Sequence, residues 1–281
     1  MKIIDIQEKT VPINSDIKNA YISFAKMDCS VVAIKTDVKI DGKNVVGYGF
    51  HSNGRYSVSE LLKKRFLPRI KEAEEKELLN EEGNNFSPEK IWKVLMRNEK
   101  PGGHGERSTA VGTIDMAVWD IVSKIEKVPL YEHLAKEYGD GKFTNKIFIY
   151  AAGGYYYPGK DIQMLQDEMK SYLDLGISTV KMKIGGASLK DDIKRIESVL
   201  KLVGEGKNLC VDANGRFDLE TAIEYGRAIE PYNLKWYEEP GDPLDFKLNS
   251  ELSHSYKNGL ATGENLFSMQ DSRNLIRYGG M

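Results

Sequence analysis

The sequence predicts an α/β protein in two parts, an α+β segment over residues 1–140 and a parallel β/α sheet over residues 141–281. Two observations lead to this prediction. Before residue 140 the strand-like patterns come first and the helical patterns follow, which is typical of α+β folds. After residue 140 strand and helix patterns alternate five times, and such alternation indicates a parallel sheet.

The segment up to about residue 55 is predicted to form strands. Residues 21–37 and 38–50 are rich in β-branched and aromatic residues. The pair Asp41-Gly42 stands between apolar flanks and predicts a hairpin turn.

Helices are predicted for the rest of the first part. A charged helix is expected over Ser59–Leu79, with Pro68 as an interruption. Another is expected to begin at Ser87, since Ser-Pro-Glu places a capping hydroxyl before a proline. A third is expected to be buried, because its apolar residues recur three and four positions apart. These residues are Ala110, Ile114, Ala117, Val118, Ile121 and Ile125.

Five strand–helix units are predicted after residue 140. Each unit has a short apolar run and then an amphipathic stretch that begins close to a Ser or Asp. The apolar runs cover 146–154, 178–185, 208–215, 234–241 and 260–265.

Composition excludes several classes of function. The 281 residues carry a net charge of −2, which gives no electrostatic case for nucleic acid. The two cysteines, Cys29 and Cys210, have neither metal-ligand nor disulfide-framework spacing. The N-terminus is too polar for a signal peptide, and no run approaches the roughly 20 apolar residues of a membrane span. A cytoplasmic protein without a membrane partner is the expectation.

Two lysines close the second apolar run. Lys181 and Lys183 are one residue apart, so alternation along a strand points both in one direction. On a solvated face such a pair has no special meaning. In a barrel interior the two ammonium groups repel each other, and acidic groups are then required opposite them.

Acidic residues end the next three runs. Asp212, Glu238 and Glu264 follow one another at intervals of 26 positions, which predicts one height on adjacent strands. In a β/α barrel that height is the C-terminal rim, where active sites lie. Three carboxylates that converge there require a cation, and Mg²⁺ suits oxygen ligands best. The alternative is three independent acids that make surface contacts.

A lysine beside such a cluster is a candidate base. A cation and a second ammonium group both lower the pKa of a lysine, and about 7–8 is the useful range for a base. The metal would also stabilise an enolate formed from a carboxylate substrate.

Four motifs from residue 140 onward together resemble the enolase superfamily, mandelate racemase subgroup. They are K-x-K (181–183), VDANG (211–215), WYEEP (236–240) and TGEN (262–265). The resemblance implies a (β/α) barrel of enolase type, with about five of its eight units present. It also implies that residues 1–140 form the capping domain of that family.

The resemblance implies a role for each site residue. Asp212, Glu238 and Glu264 are implied as Mg²⁺ ligands. Lys183 is implied as the base that removes the proton α to a carboxylate, with Lys181 assisting it.

Further contacts are implied around this centre. Asn214 would lie beside the metal and contact the substrate, and Glu239 would stand behind the ligands. The loop Arg97–Thr109 is similar to the D-tartrate dehydratase branch, in which Lys100 would hold a diacid and His104 is a weaker candidate. The alternative is a glycine-rich loop with a solvated lysine.

The sequence also departs from the family. A complete barrel has eight strand–helix units, and the histidine–aspartate dyad of the later strands has no counterpart here. None of the four histidines, His51, His104, His133 and His254, follows Glu264. We therefore expect a C-terminally truncated product or completion by another polypeptide, and weak or no turnover by the chain alone.

Three functions remain open at this point. The first is a magnesium-dependent hydro-lyase, a carbon–oxygen lyase that dehydrates a tartrate-like hydroxy-diacid or an acid sugar. The second is a racemase or epimerase of a 2-hydroxy acid on the same fold. The third is an inactive remnant or a metal-binding module. The implied partner is a small carboxylate substrate, and a homo-oligomer is expected for the complete protein.

Overall fold

The computed structural model describes residues 1–25, 27–51, 58–102 and 105–280. Contacts divide the chain into two compact units: a first unit of residues 1–14 and 26–146, and a second unit of residues 15–25 and 147–281. Each unit has its own hydrophobic core. The segment 15–25 belongs to the second unit, where the carbonyl of Lys18 accepts a hydrogen bond from the amide of Tyr156. The assignment of residues 1–140 to a capping domain stays a prediction.

The first unit contains an antiparallel sheet in the order β1-β2-β3. Its strands are β1 (Ile3–Pro12), β2 (Asp28–Ile40) and β3 (Lys43–Phe50). Asp41 and Gly42 join β2 to β3 with φ values of 50° and 76°. Two consecutive positive φ values are characteristic of the tightest hairpin turns, so the predicted turn is confirmed.

Five α-helices are described in the first unit. They are α1 (Val58–Leu61), α2 (Leu67–Glu72), α3 (Pro88–Leu95), α4 (Glu106–Glu126) and α5 (Leu130–Tyr138). The hydroxyl of Ser87 caps α3 as predicted, accepting a hydrogen bond from the amide of Lys90. Helix α4 is buried as predicted, although Ile125 is only partly covered.

The predicted helix Ser59–Leu79 is shorter and less regular than expected. A π-helical turn, Leu62–Phe66, separates α1 from α2, and the helix ends at Glu72. Pro68 provides the physical reason, since it has no amide proton for the preceding turn and local widening of the helix accommodates that loss.

Helix α4 crosses β3 closely at Gly47 and Gly49. This close approach leads to a testable prediction. A Cβ atom on Gly49 would lie 2.0 Å from the carbonyl oxygen of Thr113. We expect Gly49→Ala to lower the free energy of unfolding by about 1–3 kcal/mol, because helix and sheet must separate. Gly112→Ala is the control: a Cβ there meets nothing within 4 Å, and alanine favours a helix by roughly 0.5–1 kcal/mol. Equal stability of the two variants in urea would contradict the prediction.

Asp115 of α4 gives the first unit a dependence on pH. Burial raises the pKa of this carboxyl to about 6, although a hydrogen bond from Trp119 opposes the change. The folded state therefore holds the proton more tightly, and stability falls as pH rises from about 4 to about 6. We expect Asp115→Asn to increase the free energy of unfolding by about 1–3 kcal/mol at pH 7 and by little at pH 4. Asp5→Asn, an exposed carboxyl in the same unit, should change neither value, and a constant difference across pH would contradict the assignment.

The second unit contains a parallel sheet in the order β4-β5-β6-β7-β8. The strands are β4 (Ala151–Gly153), β5 (Val180–Lys183), β6 (Leu209–Asp212), β7 (Trp236–Glu238) and β8 (Leu260–Ala261). The helices that alternate with them are α6 (Ile162–Asp174), α7 (Leu189–Val203), α8 (Leu219–Ile229), α9 (Phe246–Ser255) and α10 (Met269–Tyr278). The predicted succession of five strand–helix units is confirmed.

Each of these five helices begins at a side-chain cap. An Asp or Ser oxygen accepts a hydrogen bond from the backbone amide three positions later, which satisfies an amide that would otherwise have no helical partner. The caps are Asp161, Ser188, Asp218, Asp245 and Ser268.

The first parallel strand is shorter than predicted. Only Ala151–Gly153 pairs with β5, since the register places Ala151 opposite Val180, where β5 begins. Residues 147–150 extend beyond that point and stay exposed, with Ile147 80% accessible.

Among the described residues, no helix combines the length and the hydropathy needed to cross a membrane.

Candidate active site

One row across the parallel sheet brings together a lysine and two acidic residues. The register pairs Lys183 with Asp212, and Asp212 with Glu238. These three residues are the last of their strands, so they stand at the carboxyl edge of the sheet. Their exposed fractions are 5%, 0% and 9%. The row is therefore buried although it carries three ionisable groups.

The two lysines point to the same side and contact these carboxylates. The Nζ atom of Lys183 lies 2.5 Å from Asp212 Oδ2. The Nζ atom of Lys181 lies 3.1 Å from the same oxygen and 2.8 Å from Glu238 Oε1. The repulsion between the two ammonium groups is thus offset by two carboxylates.

Lys181 is held in its charged form. Burial alone would lower its pKa, but the carboxylates of Asp212 and Glu238 outweigh burial and raise the pKa well above the ordinary value. In this arrangement Lys181 is a fixed positive charge. The lowering of the pKa expected from the sequence applies to a lysine that acts as base beside a bound cation, and it stays a prediction.

Asn214 and Trp236 complete the contacts of the two acids. The backbone amide of Asn214 donates to Asp212 Oδ1 at 2.9 Å, and its side-chain amide lies 3.4 Å from Asp212 Oδ2. The indole of Trp236 donates to Glu238 Oε2 at 2.9 Å. The side-chain oxygen of Asn214 is buried without a partner among the described residues.

Glu264 does not occupy the expected height. Strand β8 ends at Ala261, which stands opposite Glu238, so Glu264 lies three residues beyond the strand in the following turn. The prediction of one height for all three acids is wrong for Glu264. Spacing along the chain includes the lengths of the loops, whereas the height of a residue depends on the hydrogen-bond register between strands. Glu264 is exposed and reaches the site through the amide of Asn214, 3.4 Å from its Oε1.

Glu239 lies behind the row. It is 1% exposed and has a positive φ of 39°. Its carboxylate accepts hydrogen bonds from Asn265 Nδ2 at 3.0 and 3.1 Å and from Thr262 Oγ1 at 3.4 Å. Burial raises the pKa of Glu239 to about 7 against the hydrogen bond from Asn265, and nearby acids act in the same direction as burial.

The sequence did not predict that two tyrosines lie near the lysines. The ring centre of Tyr150 lies 5.7 Å from the Nζ of Lys181, and that of Tyr155 lies 5.2 Å from the Nζ of Lys183. Such distances are typical of cation–π contacts. Both tyrosines flank β4 in aromatic-rich stretches, but no periodicity in those stretches assigns a partner.

The chemistry of the oxygen atoms fits magnesium. Asp212, Glu238 and Glu264 offer carboxylates, and Asn214 offers an amide oxygen to which no described residue donates, all hard ligands of the kind Mg²⁺ prefers. In the part of the chain that the structure describes, no three acidic, His or Cys side chains are arranged as a ready metal cluster. Lysine ammonium groups occupy the oxygens of Asp212 and Glu238, so a cation must compete with them.

Lys100 lies in the first unit, between α3 and α4. Its side chain is exposed, and its carbonyl accepts a hydrogen bond of 2.8 Å from Arg107. His104 lies outside the described residues. A role for Lys100 in holding substrate stays a prediction.

Known proteins resemble this chain in sequence. Residues 164–281 match the family model described as Enolase C-terminal domain-like. Arabinonate dehydratase from Saccharolobus solfataricus is 28% identical over 232 residues, 83% of this chain and 57% of that protein. L-talarate/galactarate dehydratase from Salmonella typhimurium is 34% identical over 201 residues, 71% of this chain and 48% of that protein. The chain therefore spans roughly half the length of these two curated relatives.

A solved structure shows the same fold. A racemase from Streptomyces coelicolor A3(2) with bound magnesium superimposes with a TM-score of 0.80 at 24% identity, over 100% of this chain and 74% of that one. The fold is thus part of an enolase-type barrel preceded by an α+β unit. Since the sequence of the second unit also matches the family model across four of its five strands, residues 164–281 belong to the enolase superfamily.

Proposed function

We propose that this chain carries the proton-abstracting and metal-binding part of a magnesium-dependent dehydratase of acid sugars. The observation that carries the proposal is the row of Lys183, Asp212 and Glu238, with Lys181 beside it, at the carboxyl edge of a parallel sheet. Two relatives that match in sequence are named as dehydratases of arabinonate and of talarate or galactarate, and both names describe polyhydroxy acids.

The carboxylates are proposed to hold the cation. Asp212 and Glu238 supply ligands from adjacent strands, and Glu264 supplies one from the turn after β8. When bound, Mg²⁺ supplies positive charge that stabilises the negative charge developing on a substrate carboxylate. The proton α to that carboxylate is weakly acidic, so a positioned base is needed as well.

Lys183 is the proposed base. Its nitrogen donates to Asp212 in the structure, and only a neutral amine can accept a proton. Lys183 must therefore lose its extra proton before it acts, and the neutral amine can still donate one of its two remaining N–H groups to Asp212. Lys181, which two carboxylates keep charged, provides a positive charge two residues away.

In the proposed reaction Lys183 takes the α-proton, the C–O bond to the β-hydroxyl breaks, and the hydroxide takes up one proton from solvent and leaves as water. The substrate is a hydroxy-acid with a hydroxyl on the carbon next to the α-carbon, either an acid sugar or a tartrate-like diacid. Lys100 is the proposed contact for the second carboxylate of a diacid. Racemisation or epimerisation is the alternative, since the same base can exchange the same proton without loss of water.

The test uses deuterated water with Mg²⁺ and three substrates, galactarate, arabinonate and tartrate. Dehydration yields a 2-keto-3-deoxy acid, seen by NMR and by semicarbazide. Racemisation instead labels the α-carbon with deuterium and retains the hydroxyl. Magnesium binding in a calorimeter without exchange of any α-proton would contradict the enzyme proposal and favour a metal-binding module.

A further inference from the structure

A buried arginine–aspartate pair stands behind Lys183. Arg195 and Asp192 both project from α7, and their side chains are 12% and 0% exposed. The Nη1 atom of Arg195 lies 2.9 Å from Asp192 Oδ1. An ion pair this deeply buried adds little net stability, because both charges have lost their water. Its contacts with the backbone are therefore of greater interest.

The guanidinium group of Arg195 joins the ends of two strands. Its Nη1 donates to the carbonyl of Lys183 at 2.8 Å, and its Nη2 donates to the carbonyl of Gly154 at 2.7 Å. The last ladder pair between β4 and β5 is Gly153 with Met182. The guanidinium thus connects the carbonyls of Gly154 and Lys183, each of which is one residue beyond this last ladder pair.

Asp192 fixes the chain on the other side of Lys183. Its Oδ2 accepts a hydrogen bond of 2.6 Å from the amide of Gly185, where φ is 84° and the chain turns away from β5. Its Oδ1 accepts another of 2.7 Å from the hydroxyl of Tyr156. Backbone groups at positions 183 and 185 are therefore both held by one rigid charged pair.

We propose that Arg195, held by Asp192, is a positioning residue for Lys183. The planar fork of an arginine sets two carbonyl positions at once, which a lysine ammonium does not do with comparable geometry. By fixing the end of β5 it fixes where the side chain of Lys183 begins. This inference rests on the proposed function, in which the Lys183 amine removes the α-proton.

The test is Arg195→Lys, which retains the positive charge beside Asp192 and removes the fork. We expect kcat for α-proton exchange to fall by about 10–100-fold, since a displacement of about 1 Å of a catalytic group has effects of this size. KM and the Kd for Mg²⁺ should stay within about threefold, because neither the carboxylates nor substrate contacts change. Amide hydrogen exchange in the peptide that spans residues 183–186 should become faster.

Tyr225→Phe is the matched control. The hydroxyl of Tyr225 contacts the same carboxylate, 3.3 Å from Asp192 Oδ2, but no strand end. This variant should retain the kcat of the parent and the slow amide exchange of residues 183–186. If Arg195→Lys does not fold, as judged by its melting curve, Asp192→Asn replaces it, since the amide keeps the shape and weakens the hold on Arg195.

Two results would overturn the inference. One is unchanged amide exchange in Arg195→Lys, which shows that the fork does not fix the end of β5. The other is faster amide exchange with an unchanged kcat, which shows that the fixed backbone does not matter for the base. A parent protein that binds Mg²⁺ but exchanges no α-proton contradicts the proposed function, and amide exchange still decides whether Arg195 positions the end of β5.

Discussion

Replacing Lys183 by alanine is expected to slow exchange of the substrate α-proton by about 10²–10⁴-fold, the usual contribution of a general base. The α-proton of a carboxylate is too weakly acidic to leave without a base, even when the developing charge is stabilised. Lys183 is the lysine whose nitrogen lies closest to Asp212, at 2.5 Å, in the middle of the proposed site. The rate is measured by NMR in deuterated water.

Magnesium binding separates the loss of a base from the loss of a site. Lys183→Ala leaves the carboxylates of Asp212 and Glu238 in place and removes an ammonium group that competes with the cation. We expect the Kd for Mg²⁺, measured by calorimetry, to stay the same or to decrease. Lys170→Ala is the control, since Lys170 is exposed and pairs with Asp174 on its own helix.

An unchanged exchange rate in Lys183→Ala would remove Lys183 from the mechanism. If Lys181→Ala then lost the exchange, the roles of the two lysines would be reversed. If neither variant lost it, both lysines would serve only to balance the charge of the buried carboxylates.

The row of Lys183, Asp212 and Glu238 could be predicted because two simple structural rules determine it. Alternation along β5 places Lys181 and Lys183 on one side of the sheet. Parallel strands bring their carboxyl ends to one edge, which places Asp212 and Glu238 beside them. Both statements need only the sequence pattern and the alternation of strands with helices.

The position of Glu264 could not be predicted in the same way. Its distance from Glu238 along the chain equals that between Glu238 and Asp212, yet Ala261 occupies the matching rung of the sheet. Loop lengths differ between units, and only hydrogen-bond register determines which residues are neighbours. For the same reason the sequence did not show that β4 is limited to Ala151–Gly153.

The contacts of Arg195 were also hidden in the sequence. Arg195 lies on a helix among many charged residues, and such residues usually face solvent. Nothing in its spacing from Asp192 distinguishes this pair from the exposed pair of Lys194 and Asp191 on the same helix. Only the three-dimensional structure shows that one pair is buried against strand ends and the other is not.

Replacing Asp212 by asparagine is expected to lower the free energy of unfolding by about 3–5 kcal/mol at pH 7, the range for removing one partner of a buried ion pair. Asp212 is fully buried and accepts from both lysines. Asparagine would leave two buried ammonium groups facing the single carboxylate of Glu238. The loss should shrink as pH approaches the ordinary lysine pKa of about 10.4, because a lysine can then release its proton at lower cost.

Asp218→Asn is the matched control for this substitution. Asp218 is an exposed helix cap, and asparagine caps a helix about as well as aspartate, so we expect a change below about 0.5 kcal/mol. Mg²⁺ should raise the melting temperature of the parent and of Asp218→Asn, since a ligand that binds only the folded state stabilises it. It should not raise that of Asp212→Asn. If Asp212→Asn unfolds in urea like the parent and still responds to Mg²⁺, the buried row neither holds the fold together nor binds the cation, and the proposed site is wrong.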